Sequence, residues 1–550
     1  MPEYLSPGVY VEEVDTGNKP IEGVATSTAG FLGIAERGPT EPTFVTSFSE
    51  YTRLFGRYVE NPPRYLARGV EGFFQNGGKR CFVARVVART TAPAAAVATW
   101  PGGGAALALT ANGEGTWANG RLAVKITDGG LANPQTPANQ RPFRLTLMYW
   151  APPIVLPTTV VDPTDPANSS HPDRREPTIV EVYDNLSHDP LSTSYFRRRI
   201  DGVSVLVRSS AGNGTRPANI AGPVVPNFGA SVAANQFFTG GTDGGALQLA
   251  DFVGALSVPA SGATPAQPGH GLLGLEEVDE IAILVCPDEH AVGQVTERLL
   301  EQCERLKDRF VILQATDNAG APSGVRPPRA SKYGAFYYPW LRVPNPTTGL
   351  PLLVPPSGHM AGIYARSDIE RGVHKAPANE VIRGLYLDPT DPYAGLQIQI
   401  AKAQQDLLNP RGVNALRYFT GRGNLVWGAR TMSDDPDWRY INVRRLFIFV
   451  EESIEEATQW VVFEPNDEPL WARVRRSVGD FLTRLWMDGM LQGRTKEEAY
   501  FVRCDRTTMT QADIDNGRLI MLIGIAPVKP AEFVIFRIGQ WTGGSEVAEA

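Results

Sequence analysis

A strand–helix–strand pattern over residues 278–314 constrains the fold of this 550-residue chain more than any other feature. The segments "DEIAILVCP" and "FVILQAT" have the composition of short buried strands. Between them, helical spacing places on one face the apolar side chains of Val292, Val295, Leu299, Cys303 and Leu306. This order predicts a parallel strand pair with a right-handed crossover, and therefore an α/β sheet. The pattern lacks a G-x-G-x-x-G turn, so it gives nucleotide binding no support.

The stretch "GFFQNGGKR" at 72–80 is close to a phosphate-binding loop, but its register and order do not fit one. Gly78 displaces the lysine by one position, and Arg80 stands where the loop needs Ser or Thr. The apolar spacing before it predicts a helix that starts at Pro62 and Pro63 and is capped at its C-terminus by the glycines. A strand, "CFVARVV", follows. The helix would present its C-terminal dipole end, which does not favour a phosphate, so we predict a turn.

The rest of the chain can be divided by its composition and hydrophobic pattern. "AGFLGIA" near the N-terminus is typical of a strand. Residues 92–234 combine loop-like Pro/Ala/Gly runs with the strand candidates "RLAVKIT", "FRLTLMYW", "TIVEVYD" and "GVSVLVRSS", which predicts a β-rich insertion. Further on, "RRLFIFVEESIEEATQWVVFEPN" is interpreted as a strand running into a helix. The segments "YFVRCDRTT" and "GRLIMLIGIAP" are predicted strands. An amphipathic helix is predicted at 469–491, with an apolar side formed by Trp471, Val474, Val478, Phe481, Leu482 and Leu485.

Composition excludes several classes of protein. The net charge of −7 provides no basic field for nucleic acid, and four scattered cysteines form neither a disulfide framework nor a zinc site. The N-terminus has no signal-peptide pattern, and the most apolar stretch, "LIMLIGIAPV", is too short to span a bilayer. We therefore expect a cytoplasmic chain, released only by lysis, with no direct membrane insertion. Asp288 in "CPDEH" is interpreted as a helix N-cap rather than a metal ligand.

Both ends of the chain carry a lone β-type segment flanked by Pro and Gly. "GVYVEEV" lies near the start and "PAEFVIFRIGQW" near the end. A single strand cannot satisfy its own backbone, and an exposed one pairs readily with another chain. Each segment therefore either folds back onto its own domain or is donated to a neighbouring chain, which would make the protein a polymer-forming subunit.

Several blocks in order resemble the tail sheath proteins of contractile phage tails and phage-tail-like contractile injection systems. They include "YLSPGVYVEEVDTGNKPIEGVATSTAGFLGIAERGP", "FFQNGGKRCFVARV", "GRGNLVWGARTMSDDPDWRYINVRRL", "VFEPNDEPLWARV" and "GIAPVKPAEFVIFRI". The resemblance covers nearly the whole chain and is weakest over about 92–234. It implies a structural protein that polymerises as stacked rings around an inner tube and contracts to drive the tube through a target envelope.

The resemblance also implies a domain plan of the α/β (α+β) multi-domain class. We expect N- and C-terminal linking arms at 1–25 and 530–550, a middle α/β domain at 26–91 and 235–365, an outer β-rich insertion at 92–234, and an inner domain at 366–529 whose mixed sheet is completed by strands from neighbouring subunits. The residues assigned to the linking strands are Val9, Tyr10, Val11, Glu12, Val14, Phe533, Val534, Ile535, Phe536 and Ile538.

In the family a basic helix of the C-terminal domain faces the tube. We therefore assign the tube-facing surface to Arg473, Arg476, Asp480 and Arg484, with a solvated helix face as the alternative. The expected partners are further copies of the chain, the inner tube protein, and baseplate and terminal cap proteins, with no nucleic acid and no cofactor. A subtilisin-like hydrolase is disfavoured because no serine lies in a nucleophile-type turn. A coat or tail-associated protein of another particle remains the alternative.

Overall fold

The computed structural model describes residues 20–535 except 61, 92–93, 102–103, 105, 157–158, 211, 213, 221–224, 227–235, 262–265, 347 and 389. The chain forms two compact bodies. The sheet body comprises the described residues of 24–370 and 377–439, and the C-terminal body comprises residues 20–23, 371–376 and 440–535.

The secondary structure alternates short strands with helices. The strands are β1 (Ala29–Gly33), β2 (Thr43–Val45), β3 (Cys81–Arg85), β4 (Ala108–Ala111), β5 (Leu122–Asp128), β6 (Phe143–Tyr149), β7 (Thr159–Val160), β8 (Ile179–Leu186), β9 (Val207–Ser210), β10 (Val225–Pro226), β11 (Ile283–Val285), β12 (Phe310–Gln314), β13 (Gly334–Tyr338), β14 (Leu341–Pro344), β15 (Pro351–Val354), β16 (Val413–Phe419), β17 (Gly423–Val426), β18 (Tyr500–Arg503) and β19 (Leu522–Ile525). The helices are α1 (Phe48–Phe55), α2 (Leu66–Gln75), α3 (Phe196–Ile200), α4 (Leu249–Val253), α5 (Gly271–Glu276), α6 (Val295–Leu306), α7 (Ser357–Arg371), α8 (Lys402–Leu408), α9 (Ile441–Ala457), α10 (Glu468–Met487), α11 (Lys496–Ala499) and α12 (Gln511–Asp515).

An eight-stranded mixed sheet in the order β17-β16-β13-β12-β11-β1-β3-β2 organises the sheet body. The six strands from β16 to β3 run parallel, and the two edge strands are antiparallel to their neighbours. Strands β1, β11, β12 and β13 are buried along their whole length, as expected for apolar runs covered on both faces. The predicted unit β11–α6–β12 is confirmed. The sheet continues to β16 and β17, beyond the boundary near 366 that the sequence suggested between the middle and inner domains.

The stretch at 72–80 is a helix terminus and a turn, as predicted. Helix α2 ends at Gln75, the Gly77 φ is +106°, and β3 starts at Cys81. The helix starts at Leu66 instead of Pro62. At the start of this helix, the Asp288 carboxylate accepts a hydrogen bond from the Tyr65 N–H at 2.7 Å. The predicted role of Asp288 as the N-cap of its own following helix is therefore wrong, because α6 starts only at Val295.

Helices α2 and α7 pack backbone to backbone through glycines. A Cβ added to Gly358 would lie 2.3 Å from the Gly69 Cα, and one added to Gly362 would lie 2.4 Å from the Phe73 carbonyl oxygen. Such a separation leaves no room for any side chain at these positions. Helix α7 is almost wholly buried as a result.

Residues between about 96 and 242 form their own sheets, β5-β6-β8, β4-β9 and β7-β10, all antiparallel. A separate apolar cluster that includes Trp117, Leu122, Leu145, Tyr149 and Phe238 lies between these elements. The alternating strands predicted for this region are confirmed as β5, β6 and β8, and the last candidate, "GVSVLVRSS", is a strand only over Val207–Ser210.

The C-terminal body packs α9, α10 and the antiparallel pair β18–β19 around one apolar cluster. The prediction for α10 is confirmed, since every apolar side chain assigned to its inner face is buried. The prediction of a strand at "RRLFIFV", ahead of the helix, is wrong, because residues 441–457 form one continuous helix. Val443, Leu446 and Val450 are buried at spacings of three and four, so helical burial determines the conformation of an apolar run that fits either period.

Candidate functional site

The carboxyl ends of β1 and β11 form the crevice in which an open α/β sheet usually binds a ligand, because the chain leaves these neighbouring strands in opposite directions. Asp288 lies there and is 3% exposed. Its carboxylate accepts hydrogen bonds from the Ile34 N–H at 3.0 Å and the Tyr65 N–H at 2.7 Å. Burial raises the pKa of Asp288, and these amides partly oppose the change. The carboxylate thus connects the ends of β1 and β11 with the start of α2.

Two titratable residues follow Asp288. Glu289 accepts hydrogen bonds from the Gln314 N–H at 2.9 Å and the Thr296 hydroxyl at 3.0 Å, yet burial raises the pKa of Glu289 to about 8. The Nε2 atom of His290 lies 3.1 Å from the Gln314 carbonyl oxygen, and burial lowers the pKa of His290. These contacts join β11 to β12, so the group is bound into the sheet.

A cleft of about 860 Å³ lies between the ends of β1 and β3 and residues 114–121 of the insertion. A buried arginine of its wall, Arg85, donates hydrogen bonds to the carbonyl oxygens of Ala35 at 3.2 Å, Gly38 at 3.0 Å and Glu114 at 2.8 Å. Burial lowers the pKa of Arg85 to about 10. On the same wall, the Asp243 carboxylate accepts a hydrogen bond from a backbone N–H at 2.8 Å. These charges have partners within the chain, so the cleft wall is a structural joint.

The described residues also lack a metal centre and a membrane-spanning helix. No group of three or more His, Cys, Asp or Glu side chains among them could hold a metal ion. None of their helices has the length and apolar character needed to span a bilayer. All four cysteines are buried free thiols.

The four side chains assigned to the tube-facing surface, Arg473, Arg476, Asp480 and Arg484, are all exposed on α10. Arg476 has no ion pair with any residue that the structure describes. It is therefore the cation of this set with the most freedom to meet a partner.

Two of these arginines have contacts that the sequence did not reveal. Arg484 donates a hydrogen bond to the Ile21 carbonyl oxygen at 2.5 Å. Ile21 is buried in the core of the C-terminal body, so this arginine holds the described start of the chain. Arg473 lies 3.5 Å from the Glu464 carboxylate. Residues 21 and 484 are far apart in sequence, so no local pattern could have indicated their contact.

The proposed linking strands lie mostly outside the described residues. That holds for Val9, Tyr10, Val11, Glu12, Val14, Phe536 and Ile538. The described part of the C-terminal segment has no strand, and Phe533, Val534 and Ile535 are 71%, 68% and 80% exposed.

The pair β18–β19 offers unpaired strand edges. Each strand bonds only to the other within the described chain, with Tyr500 opposite Ile525 and Arg503 opposite Leu522. In an antiparallel pair, alternate residues direct N–H and C=O groups away from the partner. Among the described residues no backbone hydrogen bond reaches these outer groups of β18 and β19. Phe501 and Leu522 add exposed apolar surface.

Comparison with known families identifies two adjoining regions of the chain. Residues 271–432 match the phage tail sheath protein central domain, and residues 433–540 match the phage tail sheath C-terminal domain. Among curated relatives, the tail sheath protein of Vibrio phage KVP40 is 26% identical over 198 residues, which cover 36% of this chain and 28% of the relative. The tail sheath protein of Escherichia phage P2 is 34% identical over 182 residues, covering 32% of this chain and 42% of the relative. The matched segment thus spans well under half of these relatives.

Solved structures match over almost the full length. A chain of the helical sheath of the anti-feeding prophage in its contracted state is 26% identical, with 98% of this chain and 99% of that chain covered and a TM-score of 0.53. A chain of the baseplate of the same particle is 25% identical, with the same coverage and a TM-score of 0.52. The sheath complex of an extracellular contractile injection system, PVC, shares the fold at 22% identity and a TM-score of 0.54.

Proposed function

This chain belongs to the phage tail sheath family, and from that membership we propose that it is the structural subunit of a contractile sheath. It polymerises as a helix of stacked rings around an inner tube and contracts to drive the tube through a target envelope. The observation that carries the proposal is the end-to-end likeness to a chain of a contracted helical sheath. No cofactor or catalytic step is required.

The linking arms provide the joints of the polymer. Residues 8–14 and 531–541 of one subunit pair with strand edges on its neighbours. The outer edges of β18 and β19, with which no described strand pairs, support this assignment, as does the exposure of Phe533, Val534 and Ile535. Each backbone hydrogen bond gained contributes about 0.5–1.5 kcal/mol. Because each arm gains several such bonds, its joint with the neighbour persists while the bodies rearrange. A head-to-tail contact of this kind does not close on itself and generates a helix.

Contraction then moves whole subunits while the arm joints persist. The extended lattice is kinetically trapped, and its stored free energy is released as contacts between the bodies form again. The lattice itself supplies the work, without nucleotide hydrolysis.

The exposed face of α10 holds the tube before the stroke. Its arginines suit a contact that must be released, because exposed charge pairs weaken steeply with distance and salt. Of the four assigned residues, Arg476 contributes most to the tube contact, since Arg484 and Arg473 have partners within the subunit. The remaining partners are baseplate and terminal cap proteins. Assembly takes place in the bacterial cytoplasm, and lysis releases the particle.

Two truncations test the arms. We expect removal of residues 1–19, or of residues 533–550, to abolish helical tubes in electron micrographs of chain co-expressed with its tube protein. Thermal unfolding of the subunit should stay within a few degrees, because Ile21 and Glu532, which contact the body, are retained. Removal of residues 546–550 alone, beyond the proposed strand, is the matched control. Tubes that survive both truncations would contradict the donated arms, and a full-length chain that stays monomeric with its tube and baseplate would contradict the sheath function.

A further inference from the structure

The loop between α9 and α10 holds Phe463 in full contact with solvent. Its side chain is 103% exposed, and the neighbouring Val462 is 58% exposed. The Phe463 φ is +71°, in the left-handed region that a bulky residue rarely occupies. The most exposed apolar side chain of the loop is therefore also conformationally strained.

The residues around Phe463 are well anchored. The next residue, Glu464, lies 3.5 Å from the Arg473 guanidinium. Asn466 accepts a hydrogen bond from the Trp471 indole N–H at 2.7 Å and donates one to the Arg518 carbonyl oxygen at 3.0 Å. The loop is thus bonded on the C-terminal side of Phe463, so these contacts fix where the phenyl ring projects.

No contact from the described residues covers the Phe463 ring, which is 103% exposed. Backbone strain at a non-glycine residue persists only where the surroundings impose it, and it is concentrated at functional positions. A fixed, projecting aromatic side chain is also the typical anchor of a protein interface, where an apolar pocket of the partner surrounds it. We propose that Val462 and Phe463 form an anchor that inserts into an apolar surface on a second copy of this chain. This inference rests on the proposed sheath function.

A second copy fits this anchor better than the tube does. The stroke must break the tube contact, which favours charged groups, whereas sheath subunits stay packed against one another before and after it, so a contact between them can be apolar. The C-terminal body is also rich in exposed apolar side chains. Among the described residues 23 large hydrophobic side chains are exposed, and nine of them lie in this body, although it holds only about a fifth of the described residues. Those nine are Val462, Phe463, Met487, Phe501, Ile520, Leu522, Phe533, Val534 and Ile535.

The Phe463→Asn variant separates the anchor from a structural role. Asparagine tolerates a positive φ and removes the apolar ring, so the subunit should melt at the same temperature or a few degrees higher. We expect the critical concentration for tube formation to rise at least tenfold. Leu191→Asn is the matched control, because Leu191 is 90% exposed in the insertion and should change neither quantity. Normal assembly by the Phe463→Asn subunit would overturn the inference.

A photo-crosslinker identifies the partner even if that variant fails to fold. Assembled particles carrying p-benzoylphenylalanine at position 463 should give sheath–sheath dimers on irradiation, and the disassembled subunit should give none. Crosslinks to the tube protein alone, or none above the level obtained with the same probe at position 191, would overturn it. Failure of the unmodified chain to form tubes would instead reject the proposed function.

Discussion

The eight-stranded sheet and the pair β18–β19 differ at their edges. In the eight-stranded sheet, backbone groups of residues 379–382 bond to the edge strand β17, and the opposite edge strand, β2, is only three residues long. In the C-terminal body, β18 and β19 keep their outer edges unpaired within the described chain. Covered or very short edges prevent association, whereas open edges template it. The eight-stranded sheet therefore needs no further strand, whereas the open edges of β18 and β19 fit the proposed pairing with linking arms of other subunits.

This contrast predicts which substitutions should affect folding and which should affect assembly. Changes in the core of the sheet body should alter the free energy of unfolding, and changes on the surface of the C-terminal body should alter assembly with little effect on folding.

The largest expected effect comes from Gly358→Ala. The added Cβ would lie 2.3 Å from the Gly69 Cα, so helices α2 and α7 must separate, and we expect a loss of about 3 kcal/mol in the free energy of unfolding. The same substitution at Gly479 on α10, where nothing lies within 4 Å of the new Cβ, should stabilise by about 0.5–1 kcal/mol. Urea denaturation of both variants measures this difference. Equal effects of the two substitutions would contradict the backbone contact between α2 and α7.

The next largest effect is expected from His359, which should make the free energy of unfolding fall in acid. Its side chain is buried, and neither ring nitrogen has a hydrogen-bond partner among the described residues. Burial lowers the pKa of His359 to about 4. The unfolded chain binds a proton near pH 6.5 and the folded chain does not, so stability falls as the pH decreases from about 6.5 to 4. His359→Met should remove roughly 3 kcal/mol of this pH-dependent loss, as measured by urea denaturation at several pH values. An unchanged pH profile in the variant would contradict a neutral, buried histidine.

Glu289 should make the free energy of unfolding change with pH in the opposite direction. Its pKa is raised to about 8, so the folded chain retains a proton that the unfolded chain loses above about pH 4.5. Stability from this group is therefore present at low pH and is lost as the pH rises through 8. Glu289→Gln, which keeps an acceptor for the Gln314 N–H, should flatten the curve between pH 6 and 8. A variant that loses stability equally at every pH would show that only the hydrogen bonds matter.

The smallest effect on the subunit is expected from Arg476→Glu. The side chain is exposed, so the free energy of unfolding should change by less than about 0.5 kcal/mol. Binding of the tube should nevertheless weaken several-fold in low salt, measured by co-sedimentation with tube protein. Arg518→Glu, another exposed cation of the C-terminal body, serves as the control. Equal loss in both variants would indicate a general charge effect in place of a specific α10 contact.

Much of the local structure was predictable from the sequence. The apolar spacing of α6 and α10 and the glycines after α2 each lie within a window of a few turns, and each prediction was confirmed. The run at 444–450 was assigned wrongly because β-branched and aromatic residues in a short apolar segment fit both periods. The candidate surfaces were predictable only in part: helical spacing exposes Arg476, but nothing local distinguishes it from Arg484.

The sequence by itself determined helices α6 and α10 and the turn after α2, and its ordered blocks indicated the sheath family. Tertiary structure alone decided which distant groups meet. The Asp288 carboxylate bonds to the Ile34 N–H 254 positions away, and Arg484 bonds to the Ile21 carbonyl oxygen 463 positions away. The physical reason is that periodicity records how a segment buries its own side chains, whereas buried polar groups take whichever partner the packed chain brings within about 3 Å.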